Sequence, residues 1–290
     1  MTYVGLNHYL DGLQTSSASN LFVGKEGRVT ARFFNARLSS VFQPIRSGNN
    51  LELLGYEAFV RTVSVNDMGL NILKLLEHAT TDDESVELDR LCRLLHAINF
   101  FRQAPIQTSD LYLSVHNRLL TAVTGNHGAA FQRVLSKLDI PQQRIVLQLP
   151  AISASQRWAI SHVAENYRRN GFRFAVHAGS IEQAFDLLER VRPNVLKLNF
   201  GSHILDKDGC LFEDLLVHAA RLKCLIVLRK VDRLDLLDKF QKFSDFQIAF
   251  AAQGNAIDIP RSVIAPSLVN SASQTLRINT SDMHRQECCN

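Results

Sequence analysis

Short β-rich runs alternate with amphipathic stretches along the chain, and this alternation constrains the fold more than any other feature. The runs lie at residues 41–45, 53–60, 111–115, 145–149, 172–176, 195–198, 225–228 and 248–252. Helical patterns separate them, at 88–98, 131–138, 155–170, 181–191, 212–222 and 234–243, with Asp82 and Asp83 as candidate N-caps of the first. Eight βα units without a glycine-rich phosphate loop predict an α/β protein with a TIM-like (β/α)8 barrel.

Composition and polarity predict one folded domain with two polar flanks. The chain has 290 residues, of which 46% are hydrophobic and 21% are charged, as in ordinary globular proteins. Residues 1–30 and 263–290 are rich in small polar residues and have few periodic apolar positions. We therefore expect an N-terminal extension over 1–30, a domain over 31–262 and a polar C-terminal tail over 263–290.

Charge, hydropathy and cysteine content exclude several classes of protein. No run approaches the roughly 18 apolar residues of a membrane span, and no secretory leader pattern begins the chain, so we expect a cytoplasmic protein without membrane contact. The net charge of +4 is spread along the chain, which does not favour nucleic-acid binding. Five cysteines without framework spacing predict reduced thiols, and Cys288 and Cys289 receive no role.

A polar residue follows or ends nearly every apolar run. In (β/α)8 barrels the functional side chains gather at the carboxyl ends of the strands. Each position alone has an ordinary explanation, because strands leave the core at their ends. As a set they predict a site at one end of the barrel, formed by Glu57, His116, Gln148, His177, Lys197, Asn199, Arg229 and Gln253.

An ordered series of short motifs resembles the EAL domain, a barrel of cyclic-di-GMP signalling. Residues 42–45 read Phe-Gln-Pro-Ile, and residues 55–61 read Gly-Tyr-Glu-Ala-Phe-Val-Arg, similar to the family's Glu-Ala-Leu-x-Arg with Phe59 in place of Leu. Further matches lie at 113–116, 146–149, 174–177, 195–199, 226–229 and 253–254. The resemblance covers residues 31–262 and implies a barrel of EAL type.

The resemblance also implies that the metal site is degenerate. Active members hydrolyse cyclic-di-GMP with two divalent cations held by carboxylates and an Asn. Glu57 matches one ligand, whereas the other metal-ligand positions carry His116, Gln148, His177 with Ala178, Asn199 and Arg229. One carboxylate beside Lys197 and Arg229 does not suit a hard cation. We therefore expect no bound metal, no cofactor and no hydrolysis.

Several functions stay open at this stage. The first is a catalytically inactive regulator that binds another protein, and the second is a metal-independent receptor for cyclic-di-GMP. The resemblance places Gln43, Arg61 and Lys197 at nucleotide contacts, and Arg229 and Gln253 lie at neighbouring strand ends, although Arg61 could equally pair with an acid. The third is an active phosphodiesterase with altered metals.

Two further alternatives concern metal binding and assembly. A softer transition metal could use Glu57, His116 and His177 as two imidazoles and one carboxylate. The large apolar residues Phe100, Phe101 and Trp158 could bury themselves in the core or form a homodimer through helix faces.

Overall fold

The computed structural model describes residues 3–15, 19–24, 26–63, 81–103, 108–116, 126–150, 157–199, 209–233 and 249–264. The described helices are α1 Val4–Thr15, α2 Asp82–Phe101, α3 His127–Lys137, α4 Arg157–Arg169, α5 Ile181–Val191 and α6 Gly209–Arg221, with a 3-10 turn at Gln142–Arg144. The strands are β1 Leu21–Val23, β2 Val29–Phe33, β3 Ala36–Ser47, β4 Leu53–Val63, β5 Asp110–Ser114, β6 Ile145–Gln148, β7 Arg173–Ala178, β8 Val195–Asn199, β9 Leu225–Arg229 and β10 Phe250–Ala252.

Strands β3 to β10 close into an eight-stranded barrel, which confirms the predicted fold class. Strands β4 to β10 pair in parallel with their neighbours in chain order. Strand β3 is antiparallel to both β4 and β10 and closes the circle. The eight apolar runs of the sequence each fall on one of these strands. Five of the six helical patterns coincide with α2 to α6, and the sixth, 234–243, lies outside the described residues.

Helix α2 begins one residue earlier than its acidic residues suggested. The N-cap is Thr81, whose hydroxyl accepts a hydrogen bond from the Glu84 amide at 3.2 Å, while the Glu84 carboxylate accepts from the Thr81 amide at 3.1 Å. This reciprocal capping box satisfies two amide groups that the helix leaves unpaired. Asp82 and Asp83 therefore lie inside the first turn.

The segment predicted as an N-terminal extension contributes secondary structure that packs on the barrel. Helix α1 buries Leu6 and Leu13 in the main core, and the Gly5 amide donates to Asp139 Oδ2 at 2.7 Å. A side chain at position 5 would place its Cβ 2.4 Å from the Lys137 carbonyl oxygen, so this close approach requires glycine. Strands β1 and β2 extend the sheet beyond β3.

Asn99 of α2 joins the added strands to the barrel. Its side-chain oxygen accepts from the Val29 amide at 2.9 Å, and its amide donates to the Val29 carbonyl at 2.7 Å and to Ser40 Oγ at 3.3 Å. Ser40 Oγ also lies 2.7 Å from Nδ1 of His96. All four residues are buried. A helix side chain thus pairs with strand β2 as a neighbouring strand would.

The packing decides between the two alternatives left open for Phe100 and Phe101. Phe100 and Phe101 are 0% and 5% exposed, so they belong to the core and offer no surface for a homodimer. The side chain of Trp158 lies outside the described residues, as do Cys288 and Cys289. None of the described helices is both long and apolar enough to cross a bilayer.

Replacing Asn99 with Ala should destabilise the fold strongly. The change leaves a buried amide and a buried carbonyl of Val29 unpaired, and each such group costs about 1–3 kcal/mol, so we expect a loss of about 2–4 kcal/mol. Chemical denaturation measures the change. Glu87→Ala, at an exposed position of the same helix, should change the free energy of unfolding by less than about 0.5 kcal/mol.

Candidate functional site

The barrel interior is built in two layers by the alternation of side chains along each strand. The lower layer is apolar and contains Ile45, Tyr112, Val146, Ala175, Val195, Val227 and Ala251. At this level β4 carries Gly55, where an added Cβ would lie 2.9 Å from the Tyr112 ring. Two residues away on each strand, on the same face, lies the set that we call the polar layer: Gln43, Glu57, Ser114, Gln148, His177, Lys197, Arg229 and Gln253.

A buried ion pair between Lys197 and Glu57 occupies the centre of the polar layer. Lys197 Nζ lies 2.9 Å from Glu57 Oε2, with the two side chains 0% and 3% exposed. Gln148 donates to the other carboxylate oxygen at 3.0 Å, and the ammonium lies 5.0 Å from the centre of the Tyr112 ring. Burial alone would raise the pKa of Glu57, but the charges of Lys197 and Arg229 lower it to about 2. The carboxylate is therefore ionised at neutral pH.

Three amide side chains extend this pair across the barrel. Lys197 Nζ donates to Gln253 Oε1 at 3.3 Å, and Gln253 Nε2 donates to Gln43 Oε1 at 3.1 Å. Gln43 in turn donates to Asn255 Oδ1 at 3.1 Å and to the Asp258 carbonyl at 2.9 Å. On the other side, Gln148 Nε2 lies 3.2 Å from Ser114 Oγ. A continuous network therefore links β5, β6, β4, β8, β10 and β3.

Arg229 and His177 form a second pair in the polar layer. Arg229 Nη1 lies 3.0 Å from His177 Nδ1. Burial, together with the charges of Arg229 and Lys197, lowers the pKa of His177 to about 3. The imidazole is therefore neutral at physiological pH, and its Nδ1 accepts the hydrogen bond from the guanidinium.

A cavity of about 340 Å³ opens above the polar layer. Its wall contains four of the five predicted nucleotide contacts, Gln43, Arg61, Arg229 and Gln253, together with Lys230 and Asp232. Lys197 does not reach the wall and lies beneath it. Gly254 shapes the wall, because an added Cβ would lie 2.1 Å from the Val231 carbonyl oxygen, a distance that only glycine avoids.

Two predicted site residues do not join the polar layer. His116 follows the end of β5, and its backbone amide donates to Asp89 Oδ1 at 2.8 Å. Asn199 is exposed at the end of β8. The sequence reasoning missed Ser114, which lies two residues from Tyr112 on the same strand and opposite Gln148 in the strand register. That period-two relation was the signal that could have identified it.

The family model described as "EAL domain" matches residues 28–257. The chain belongs to the EAL domain family. Among curated proteins, none matches it in sequence.

Solved structures of EAL domains share its fold at low identity. The Bacillus subtilis YkuI protein, solved with cyclic-di-GMP and calcium, has a TM-score of 0.66 at 14% identity, and the match covers 85% of this chain and 62% of YkuI. The FimX EAL domain from Pseudomonas aeruginosa bound to cyclic-di-GMP has a TM-score of 0.62 at 15% identity, covering 79% and 93%. A standalone EAL protein from Vibrio cholerae O395 in its cyclic-di-GMP-bound form has a TM-score of 0.60 at 19% identity, covering 77% and 92%.

The polar layer of this EAL domain does not fit the divalent metals of the active family. Both Glu57 oxygens are engaged, one by the Lys197 ammonium and one by Gln148. Mg²⁺ and Mn²⁺ need several anionic oxygens, whereas this site holds two cations beside one carboxylate. Over the described part of the chain, no three His, Cys, Asp or Glu side chains cluster as a metal site. This observation also contradicts the alternative of Glu57, His116 and His177 as ligands of one metal.

Replacing Lys197 with Met should destabilise the EAL domain and make its stability sensitive to pH. The change leaves the Glu57 carboxylate buried without its ion-pair partner, which costs about 3–5 kcal/mol. Adding Glu57→Gln removes that charge, so the double variant should recover most of the loss. Denaturation of both variants at pH 7 measures the difference, and an equally unstable double variant would contradict the ion-pair interpretation.

The pH dependence of stability follows from the direction in which the pKa of Glu57 is shifted. In the wild type, the folded pKa of about 2 lies below the unfolded value of 4.5, so the stability from Glu57 is constant between pH 7 and pH 5 and is lost only below that. In Lys197→Met, burial raises the folded pKa, so the variant takes up a proton on acidification. Relative to the wild type, the free energy of unfolding of Lys197→Met should therefore increase by about 1–2 kcal/mol when the pH is lowered from 7 to 5.

Proposed function

We propose that this EAL domain is a non-hydrolytic regulator in bacterial cyclic-di-GMP signalling that acts by binding another protein. The proposal is supported above all by the shortage of carboxylates in the polar layer, since Glu57 is the one acid among its eight residues and pairs with Lys197 at 2.9 Å. Hydrolysis in the family depends on metals that generate the attacking hydroxide and balance the phosphate charge. A domain that cannot assemble them retains its surfaces for recognition.

The purified protein should not hydrolyse cyclic-di-GMP in Mg²⁺ or Mn²⁺. Chromatography of the nucleotide after incubation measures any linear product, with an active EAL enzyme as positive control and heat-treated protein as blank. Turnover above the blank that disappears in Glu57→Gln would show a working phosphodiesterase and would overturn the proposal.

A second candidate function is a metal-independent receptor for cyclic-di-GMP, and the cavity above the polar layer favours it. Arg61 is exposed in the cavity wall beside Arg229 and Lys230, with Asp232 as the opposing acid. Because Lys197 neutralises Glu57, the wall has an excess of positive charge that suits a phosphate. Lys197 lies too deep for phosphate contact, so Arg61 and Arg229 would supply the main charge-assisted contacts. The structures of YkuI and FimX were solved with this nucleotide bound.

Calorimetric titration with cyclic-di-GMP separates the two candidates. A receptor should bind equally well in Mg²⁺ and in EDTA, and Arg61→Ala or Arg229→Ala should weaken binding by about 1.5–3 kcal/mol, roughly ten- to a hundredfold. Arg221→Ala, an exposed change on α6, serves as the control. Binding that requires Mg²⁺ would contradict the receptor model, and the absence of binding would leave protein recognition as the function.

A further inference from the structure

A groove lies on the outside of the barrel between helices α2 and α3, away from the mouth. Its cavity has a volume of about 310 Å³, and its apolar walls come from Leu91 and Leu94 of α2 and from Ala130, Phe131 and Val134 of α3. The next helices around the barrel pack directly against one another, α3 on α4, α4 on α5 and α5 on α6. We call this opening the flank groove.

The floor of the flank groove is held in place by Arg93. This side chain is 3% exposed, and its Nε donates to Asp89 Oδ2 at 2.8 Å. The guanidinium lies 5.0 Å from the centre of the Phe131 ring, an arrangement that is stabilised by the charge and the ring quadrupole. Its Nη1 is buried without a hydrogen-bond partner in the described residues. The floor is thus fixed before any ligand binds, which lowers the cost of ordering on association.

The rim of the flank groove is cationic. Arg90 lines the groove, and the exposed Arg133 and Lys137 lie three residues after Ala130 and Val134, on the adjoining strip of α3. None of these three cations forms an ion pair with another described residue. Among the residues that the structure describes, Glu87 is the one acid that lines the groove. Charge complementarity therefore favours an acidic ligand.

The dimensions of the flank groove match two turns of a helix. Its α2 wall runs from Glu87 to Leu94, seven residues apart, which corresponds to about 10.5 Å along a helix axis. Helices that bind in grooves do so through apolar residues at positions i, i+3 or i+4, and i+7, which span the same length. From this match we propose that the flank groove binds an acidic amphipathic helix of a partner protein.

This inference rests on the proposed regulatory function, because it names the surface through which that function would act. A second copy of the chain is a poorer occupant. In a two-fold dimer the same patch of both copies meets, so the cations of Arg90, Arg133 and Lys137 would lie opposite the same cations and repel them. A basic helix meets the same repulsion.

Fluorescence anisotropy with a labelled model helix of about 18 residues tests the proposal. The acidic probe carries Leu at i, i+3, i+4 and i+7 with Glu on both sides. One matched probe has Lys in place of Glu, and another has Ser in place of Leu. The acidic probe should bind the full chain at least about tenfold more tightly than either matched probe. No binding at about 1 mM, or equal binding of the Lys probe, would overturn the proposal.

Variants of the rim locate the binding site. Arg90→Glu combined with Arg133→Glu should weaken binding of the acidic probe about tenfold or more, whereas Arg221→Glu on α6 should leave it within about twofold. Unchanged binding in the rim variant would show that the helix binds elsewhere. If sedimentation shows a wild-type dimer that the rim variant abolishes, the occupant is a second copy and the proposal is wrong. Hydrolysis of cyclic-di-GMP would overturn the proposed function while leaving these binding results intact.

Discussion

The contact between Lys197 and Glu57 is the interaction on which the interior of this EAL domain depends. Two opposite charges buried in a barrel are tolerated only when each is paired and the remaining polar atoms are hydrogen-bonded. Here Gln148 donates a hydrogen bond to the second carboxylate oxygen of Glu57, and Gln253 accepts a hydrogen bond from the Lys197 ammonium. The strands that carry these residues must therefore keep a fixed register, since a shift by one residue would turn each side chain to the opposite face.

The polar layer also shows how this barrel can hold its charged residues without a bound metal. In a metal-dependent site, a ring of carboxylates repels itself until cations bind. In this chain, Lys197 and Arg229 supply positive charge from within the protein, and His177 stays neutral beside them. The charges at this end of the barrel are consequently balanced by side chains of the protein itself.

Much of the barrel was predictable, because β-rich runs separated by helical patterns report on local packing. Lys197 was predicted to lie in a site at the end of the barrel, but a buried ammonium also needs an acidic partner. That partner, Glu57, lies 140 residues away, and only the closure of the barrel shows which acid it is. Ser114 was missed in favour of His116 because the register between β5 and β6 selects one of two candidates that are equally polar in the sequence. Strands β1 and β2 escaped detection because β1 has three residues and β2 has five, and one end of β2 is completed by Asn99, 70 residues away.

The pairing of the antiparallel strand β3 can be completed only late in the synthesis of the domain. It is among the first elements of the barrel to leave the ribosome, yet one of its two neighbours within the barrel, β10, is among the last, and the contact between Gln43 and Gln253 spans 210 residues. Loop closure over such a distance is slow, because the entropy of the intervening chain opposes it. A nascent chain that stops short of β10 leaves Arg46 and Ser47 of β3 without their strand partners, so this end of the strand needs protection from intermolecular pairing until translation of the domain is complete.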